Sequence, residues 1–524
     1  MTLARRLRGC SLLAVAALLA ACGSTVQLDQ PTAAPGTGSL ALPTDATSGA
    51  ASPEAGTDDL GVPNASGDLG DAGTPLEGGD PAGPAPDAGG ESDSADNPDA
   101  PTQDAFEESP RGGAIKIGIA YTSDGTEANS AIGAGFATGN DKDNNQALVD
   151  EINESGGVDG RKLEPVFFAY SAQTSETASS QDQAACSAFT EDESVAFVLG
   201  GGLTDTLNSC LLKAGVLHIN SGTILNWDKA MLAKFPNHFV LGTMTQDRMM
   251  AGLVASLERG DWFGGWSARS GLPPTTKIGV LAVDYPQWRR PIASVLLPAL
   301  KRAGHSVDSS NVIYVRPSTS TATVGSTAAD VSSAVLRFAS AGVTHVIDLD
   351  ASALLTIFFA QTAASQGYYP RLGITSGTGA QAILDQGLAN ARTFRGAVGM
   401  GWLPNLDVPA SQGATLLTPA ADRCLRILRE RTGQQYASAN EAGIALSTCD
   451  SISVMVAGLD AAGDKLSYAG VKAGLESLGR NPQPALIPKS FLSPSHHDNA
   501  LSGFDMTYDE GCGCIRYGAE RNIP

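Results

Sequence analysis

Apolar residues recur along the chain in two rhythms. From Ala114 to Tyr121 the run AIKIGIAY reads as a strand, and further on KIGVLAV and THVIDL are apolar on both faces, as parallel strands covered by helices are. From Ala147 to Glu154, Leu148, Val149 and Ile152 fall on one side and Asp150, Glu151 and Glu154 on the other, which is the pattern of an amphipathic helix. Gly156 and Gly157 end that helix, Asp159-Gly160 makes a second turn, and the aromatic and branched run from Leu163 to Ala169 reads as a strand. Strand, helix, strand is how a parallel α/β sheet begins.

The theme repeats as far as residue 402. Candidate strands are 115–120, 163–169, 195–199, 215–219, 277–283, 310–315, 345–349, 371–375 and 396–400, and helices such as 244–259, 291–303, 328–341 and 352–366 separate nearly all of them. Nine strands of this kind overfill one sheet, so two sheets and two lobes are expected. After 402 three helices, near 417–432, 440–462 and 468–478, run without strands between them, and GFDMTYDEGCGCIRYG closes the chain as a hairpin-like tail.

The N-terminal part follows neither rhythm. Arg5, Arg6 and Arg8 precede the apolar run SLLAVAALLAA, long enough for a signal-peptide core and short for a bilayer span. Cys22 follows at once in Leu19-Ala20-Ala21-Cys22-Gly23. This looks like a bacterial lipobox, with Cys22 acylated as the mature N-terminus; the plainer alternative is an ordinary cleavage site beside a chance cysteine. From Gly23 to Pro110 there are 17 Asp or Glu, no Lys or Arg, and one aromatic, Phe106. Such a segment buries too little apolar surface to offset its ordering entropy and is expected to stay disordered, a tether that spans roughly 50 Å as a flexible coil.

Charge divides accordingly. Of the formal −21, the tether carries −17 and the signal segment +3, leaving −7 for residues 111–524. Lys and Arg are neither in excess nor clustered with aromatics, so nothing suggests a nucleic-acid surface. Apart from Cys10 and Cys22, six cysteines remain, an even number for an exported chain. Their places on neighbouring helical segments favour Cys186 with Cys210 and Cys424 with Cys449, against the alternative that they are small buried hydrophobes. Cys512-Gly513-Cys514 could close a tight local disulfide; metal binding there lacks a second pair of ligands.

Candidate chemistry sits in small, hydroxyl-rich turns after the strands: Tyr121-Thr122-Ser123, Gly200-Gly201-Gly202 with Thr204, Ser221-Gly222-Thr223, Asp284-Tyr285, Asp348 with Asp350, and Ser376-Gly377-Thr378. In open α/β sheets ligands bind beyond the strand carboxyl ends. Glycines admit a ligand to the backbone, and amides at helix starts attract anions. Residues such as Thr204 could equally be plain N-caps. No Gly-x-Ser-x-Gly, His-Glu-x-x-His or phosphate-binding loop occurs, and Gly133-Ala134-Gly135 lies too far past its strand for a dinucleotide fingerprint. His496-His497-Asp498 is the one dense titratable cluster; in the Ser/Pro-rich LSPSHHDNALSG it reads as a solvated patch, the sharper alternatives being a metal ligand or pH switch.

The order Ile115–Ala120, ALVDEINESGGVDGRKLEPV, VLGGGLT, VLHINSGT, KIGVLAVDYPQW, three helices and GFDMTYDEGCGC resembles the type I periplasmic binding proteins of the leucine/isoleucine/valine-binding subfamily, over residues 113 to about 520. The resemblance implies an α/β, two-lobed fold, each lobe a mostly parallel sheet flanked by helices, with crossings near 242, 402 and 490. The implied division is a signal peptide at 1–21, a tether at 22–112, an N-terminal lobe from 113–242 plus 402–490, and a C-terminal lobe from 243–401 plus 491–524.

By the same resemblance, Gly201, Gly202, Thr204, Ser221 and Thr223 would grip a ligand carboxylate, Tyr285 would fill the aromatic slot that faces the ammonium, and Thr122 and Gly222 would also line the site. The family often carries a glutamate where this chain has Ser376-Gly377-Thr378, so Ser376 would line the site and Asp350 could replace the acid. The implied role is an extracytoplasmic, lipid-anchored, monomeric solute-binding protein of an ABC importer. It would take an amino acid or related carboxylate to a membrane permease, without cofactor, metal or catalysis. The alternative is a ligand-sensing lipoprotein that partners a signalling receptor.

Overall fold

A computed structural model describes residues 113–131, 137–221, 227–318, 320–350, 352–436, 439–463 and 466–523. The signal segment, Cys22 and the tether lie outside these residues, as do Gly222 and Thr223.

Two sheets organise the chain. The first is wholly parallel, in the order β2-β1-β3-β4-β5, from β1 (Ile115–Thr122), β2 (Leu163–Tyr170), β3 (Phe197–Leu199), β4 (Leu217–Ser221) and β5 (His238–Leu241). The second has the order β12-β11-β10-β9-β8-β6-β7, from β6 (Ile278–Val283), β7 (Val312–Val315), β8 (His345–Leu349), β9 (Arg371–Thr375), β10 (Val398–Gly401), β11 (Ser502–Asp509) and β12 (Cys514–Asn522). It is parallel from β7 to β10 and antiparallel where the tail hairpin joins. The fold is therefore the two-lobed α/β architecture expected. One strand was not anticipated: β5, in HFVL, is only four residues long, fully buried and followed directly by the passage to the second lobe.

Local chemistry explains the first strand–helix–strand unit. Asn140 caps the helix Asp141–Glu154 by accepting from the Asp143 amide at 3.2 Å. At the other end Asn153 ties the helix to the start of β2, donating to the Leu163 carbonyl and accepting from its amide, both at 2.8 Å. The terminal helices Pro419–Thr432 and Ala439–Ala462 return to pack on this helix. The stretch Glu441–Ala462 is apolar and long enough to cross a membrane, but 72% of its most apolar window is buried, as suits a core helix. Its buried Asp450 accepts from the amides of Ala485 and Leu486, at 2.6 and 3.1 Å.

Three disulfides occur among the described residues, in the anticipated pairs: Cys186–Cys210, Cys424–Cys449 and Cys512–Cys514. The first joins the helices Ala178–Ser187 and Asp205–Lys213, and the second joins Pro419–Thr432 to Ala439–Ala462. Each closes a loop of 24 or 25 residues, and restricting an unfolded chain over that span is worth about 3 kcal/mol. Replacing Cys424 and Cys449 by serine is expected to lower the unfolding free energy by that amount, read from urea denaturation.

Candidate functional site

The chain passes between lobes three times. It leaves β5 at Leu241 and enters the second lobe as the helix Gln246–Arg259, which packs on β10. It leaves β10 at Gly401, and the short helix Pro404–Asp407 packs on Ala439–Ala462. The third passage falls at 498–502, beyond the expected 490. Residues 497–499 still bond to β5, with Val240 N–H donating to the His497 carbonyl at 2.7 Å and Asn499 N–H to the Val240 carbonyl at 3.0 Å, while Ser502 opens β11.

Because β5 and β10 both release the chain at their carboxyl ends, those ends of the two sheets are turned toward the hinge. The far rims also meet, where Thr321 N–H, after β7, donates to the Ala172 carbonyl, after β2, at 3.3 Å. The space between is thus bordered by the strand-end turns. In the first lobe β3 lies between β1 and β4, so Thr122, Gly201 and Ser221 share one edge. In the second, β8 lies between β6 and β9, which sets Tyr285, Asp350 and Ser376 side by side.

The first and third crossings are locked by one buried cluster. Asp498 accepts from the Thr245 amide at 2.7 Å and from Arg248 Nη1 at 2.9 Å, with both charged side chains buried. Asn499 accepts from the Gly242 amide at 2.8 Å. His497 and Asp498 are accordingly buried, which corrects their reading as a solvated patch; only His496 keeps partial exposure. The His497 ring stacks on Phe239, Nδ1 lies 3.1 Å from the His238 carbonyl, and Nε2 lies 3.0 Å from Glu476. Burial lowers the His497 pKa, with Glu476 opposing. No group of three or more possible metal ligands occurs among the described residues.

The turn after β3 is built from Gly200, Gly201 and Gly202, all at φ between 75° and 80°, a left-handed run that side chains would strain. Its polar groups are mostly bonded within the lobe. His218 Nε2 lies 2.8 Å from the Gly200 carbonyl, and Asn220 donates to the Gly201 carbonyl at 2.8 Å. Burial holds His218 down at about 4, so its ring is neutral.

Asp182, fully buried, accepts from the Leu203 amide (3.0 Å), the Thr204 amide (2.7 Å), the Thr204 hydroxyl (2.7 Å) and the Tyr170 hydroxyl (3.0 Å). Thr204 also caps the helix Asp205–Lys213, accepting from the Thr206 amide. The donors expected to meet a ligand carboxylate at Thr204 are therefore taken by a carboxylate of the same chain. On the first-lobe edge, among the described residues, Gly201 N–H has no partner and the Ser221 hydroxyl is buried with none. Thr122 is exposed there.

The second lobe treats its acids alike. Asp350 is buried and accepts from the amides of Ser352 (2.9 Å) and Thr356 (3.1 Å), at the start of the helix Leu354–Ser365. Neighbouring Asp348 accepts from the Thr356 hydroxyl at 2.9 Å, and burial beside Asp350 raises its pKa. Ser376 donates to Asp407 at 2.5 Å and accepts from the Trp402 amide at 2.8 Å. Burial pushes Asp407 up to about 6, although Tyr517 and the Leu403 amide also donate to it. Gly377 is required by closeness, since a Cβ there would stand 2.1 Å from the Asp350 carbonyl oxygen. Tyr285, half-buried at the end of β6, has no partner for its hydroxyl among the described residues, and burial raises its pKa.

Sequence reasoning missed Asp182. Its signal was spacing, since Ala185, Cys186 and Phe189 follow at +3, +4 and +7 on the same face and are buried.

A family model described as periplasmic binding protein matches residues 114–501. The chain belongs to the periplasmic binding protein family. Among solved structures similar to this binding protein is a possible leucine/isoleucine/valine-binding protein from Rhodopirellula baltica, at 15% identity and TM-score 0.55, covering 78% of this chain and 97% of that one. A solute-binding protein of an ABC transporter from R. palustris, in complex with 4-hydroxybenzoate, is 15% identical with TM-score 0.56 over 78% and 97%. The branched-chain amino acid transporter substrate-binding protein of Streptococcus pneumoniae, in complex with isoleucine, is 15% identical with TM-score 0.50 over 78% and 99%. No curated protein sequence matches the binding protein.

Two substitutions test this geometry. Asp498→Ala leaves Arg248 as an uncompensated buried charge and should cost about 3–5 kcal/mol of stability. Asp182→Ala strands the Leu203 and Thr204 amides, and should cost about 1–3 kcal/mol. Both are read by chemical denaturation.

Proposed function

We propose that this binding protein is a solute-binding component of an ABC importer. It captures a small polar ligand, an amino acid or related carboxylate, between its lobes and delivers it to a membrane permease. The observation that carries the proposal is the facing of two rows of strand-end turns across a hinge made by three crossing segments. Family membership supports it, as do the structurally similar proteins described in complex with isoleucine or 4-hydroxybenzoate. Cys22 and the acidic tether support an extracytoplasmic lipoprotein held on a leash at the membrane surface.

Within the gap, Gly201 N–H, the Ser221 hydroxyl and the exposed Thr122 receive the anionic end of a ligand, together with Gly222 and Thr223. Tyr285 supplies an aromatic wall and a hydroxyl from the second lobe. Thr204, Asp350 and Ser376 act behind these groups, holding the turns in shape.

A thermal-shift screen over amino acids, amides, benzoates and small carboxylates tests the function. A true ligand at 100 times its dissociation constant adds about 2.7 kcal/mol of stability, and no response to any member removes the proposal. With a ligand in hand, Ser221→Ala should weaken binding by about 1–3 kcal/mol, read by calorimetry. Unchanged affinity removes Ser221 from the site.

A further inference from the structure

A cavity of about 480 Å³ opens beside the hinge, away from the strand-end turns. Its volume lies in the range of small-molecule sites. One wall is apolar, with Leu232 on the helix Lys229–Lys234 and Pro236 just after it. The opposite wall is polar and belongs to the crossings and their approach: Thr245 at the N-cap of the helix Gln246–Arg259, Arg248 one turn in, and His496 just before the third passage. Lys229 and Lys472 complete the rim.

The acids at this place are already engaged. Asp498, the acid of the lining, is turned to the Thr245 amide and Arg248. Glu476, behind the wall, holds Lys472 and His497, and Asp247 accepts from the Lys229 amide. Donors, by contrast, are left over. The Thr245 hydroxyl is buried with no partner among the described residues, in a residue only 1% exposed. Among the described residues, neither the Lys229 side chain, whose residue bonds to Asp247 through its backbone amide, nor His496 Nε2 has a partner. A buried hydroxyl without a partner costs about 1–3 kcal/mol, and the start of a 14-residue helix adds a field that favours negative charge.

We infer that this hinge-side cavity is a second ligand site, which takes a compact organic anion. Its charged group meets the Thr245 hydroxyl and the Lys229 and Lys472 ammonium groups, and its apolar body lies against Leu232 and Pro236. The site stands apart from the interlobe gap and does not depend on what that gap binds. Its walls belong to the first lobe on one side and to two crossing segments on the other, so an occupant with different affinity for open and closed arrangements would bias the hinge.

Benzoate and phenyl phosphate are the probes, titrated into the isotope-labelled protein while the resonances of Thr245, Leu232 and His496 are followed. Saturable shifts at these residues are expected with at least one probe. The affinity should fall at least fivefold in Lys229→Glu and in Thr245→Val, and should be unchanged in Ser221→Ala. Absence of saturable shifts at these residues, or equal affinity in Lys229→Glu and Thr245→Val, overturns the proposal. Loss in Ser221→Ala would assign the response to the interlobe gap and overturn it as well. A failed search for the gap's own ligand leaves this readout intact, because the reporting residues lie at the hinge.

Discussion

The buried pair of Arg248 and Asp498 is the constraint on which the two-lobed arrangement rests. Asp498 belongs to the last crossing and Arg248 to the helix that follows the first, some 250 residues earlier in the chain. Their attraction is strong only because water is excluded, and exclusion would be costly were either charge left alone. The Thr245 amide completes the carboxylate's needs, and Asn499 does the same for Gly242. Two crossings are thereby fused into one structural element, so a relative motion of the lobes must turn about this element and cannot pull it apart. A hinge of this kind restricts the freedom of the lobes to an angle.

The same device recurs at the turns that border the gap. Asp182 satisfies the amides after the triglycine turn, Asp350 those at the start of the helix after β8, and Asp407 the Ser376 hydroxyl and the Leu403 amide. Each is a buried carboxylate that spends its oxygens on loop backbone or hydroxyl donors, and each such donor would be expensive to bury unpaired. The turns are in consequence rigid, and a rigid turn positions the few remaining groups with little loss of entropy on binding.

Much of the fold was legible because apolar periodicity and turn residues speak directly to secondary structure. The doubly apolar runs KIGVLAV and THVIDL could only be covered strands, and the three strand-free helices after 402 stood out by contrast. Helical placement of Cys186, Cys210, Cys424 and Cys449 gave their pairing. What escaped was set by tertiary contact. β5 is too short to carry a period, and His497 with Asp498, in a stretch rich in Ser and Pro, becomes buried only because β5 and Arg248 come to meet it. Thr204 illustrates the limit at the site: its position at a helix start was readable, but which carboxylate it would serve depended on Asp182, two elements away. Sequence reveals that a turn offers donors; only the fold reveals who accepts them.

This bears on how a ligand would be selected. If the first-lobe edge keeps only a few donors, such as Gly201 N–H and the Ser221 hydroxyl, a ligand resting on that lobe alone gains little. Tyr285 lies on the other lobe, and its hydroxyl and ring contribute only when the angle between lobes narrows. Affinity then resides in the closed form, and the difference between closed and open affinity is what can shift the population. On the proposed function, a poor initial grip is no defect. A lobe that held its solute tightly when open would saturate without closing, whereas one that has already spent its donors on its own carboxylates makes closure the step at which a solute is accepted or released.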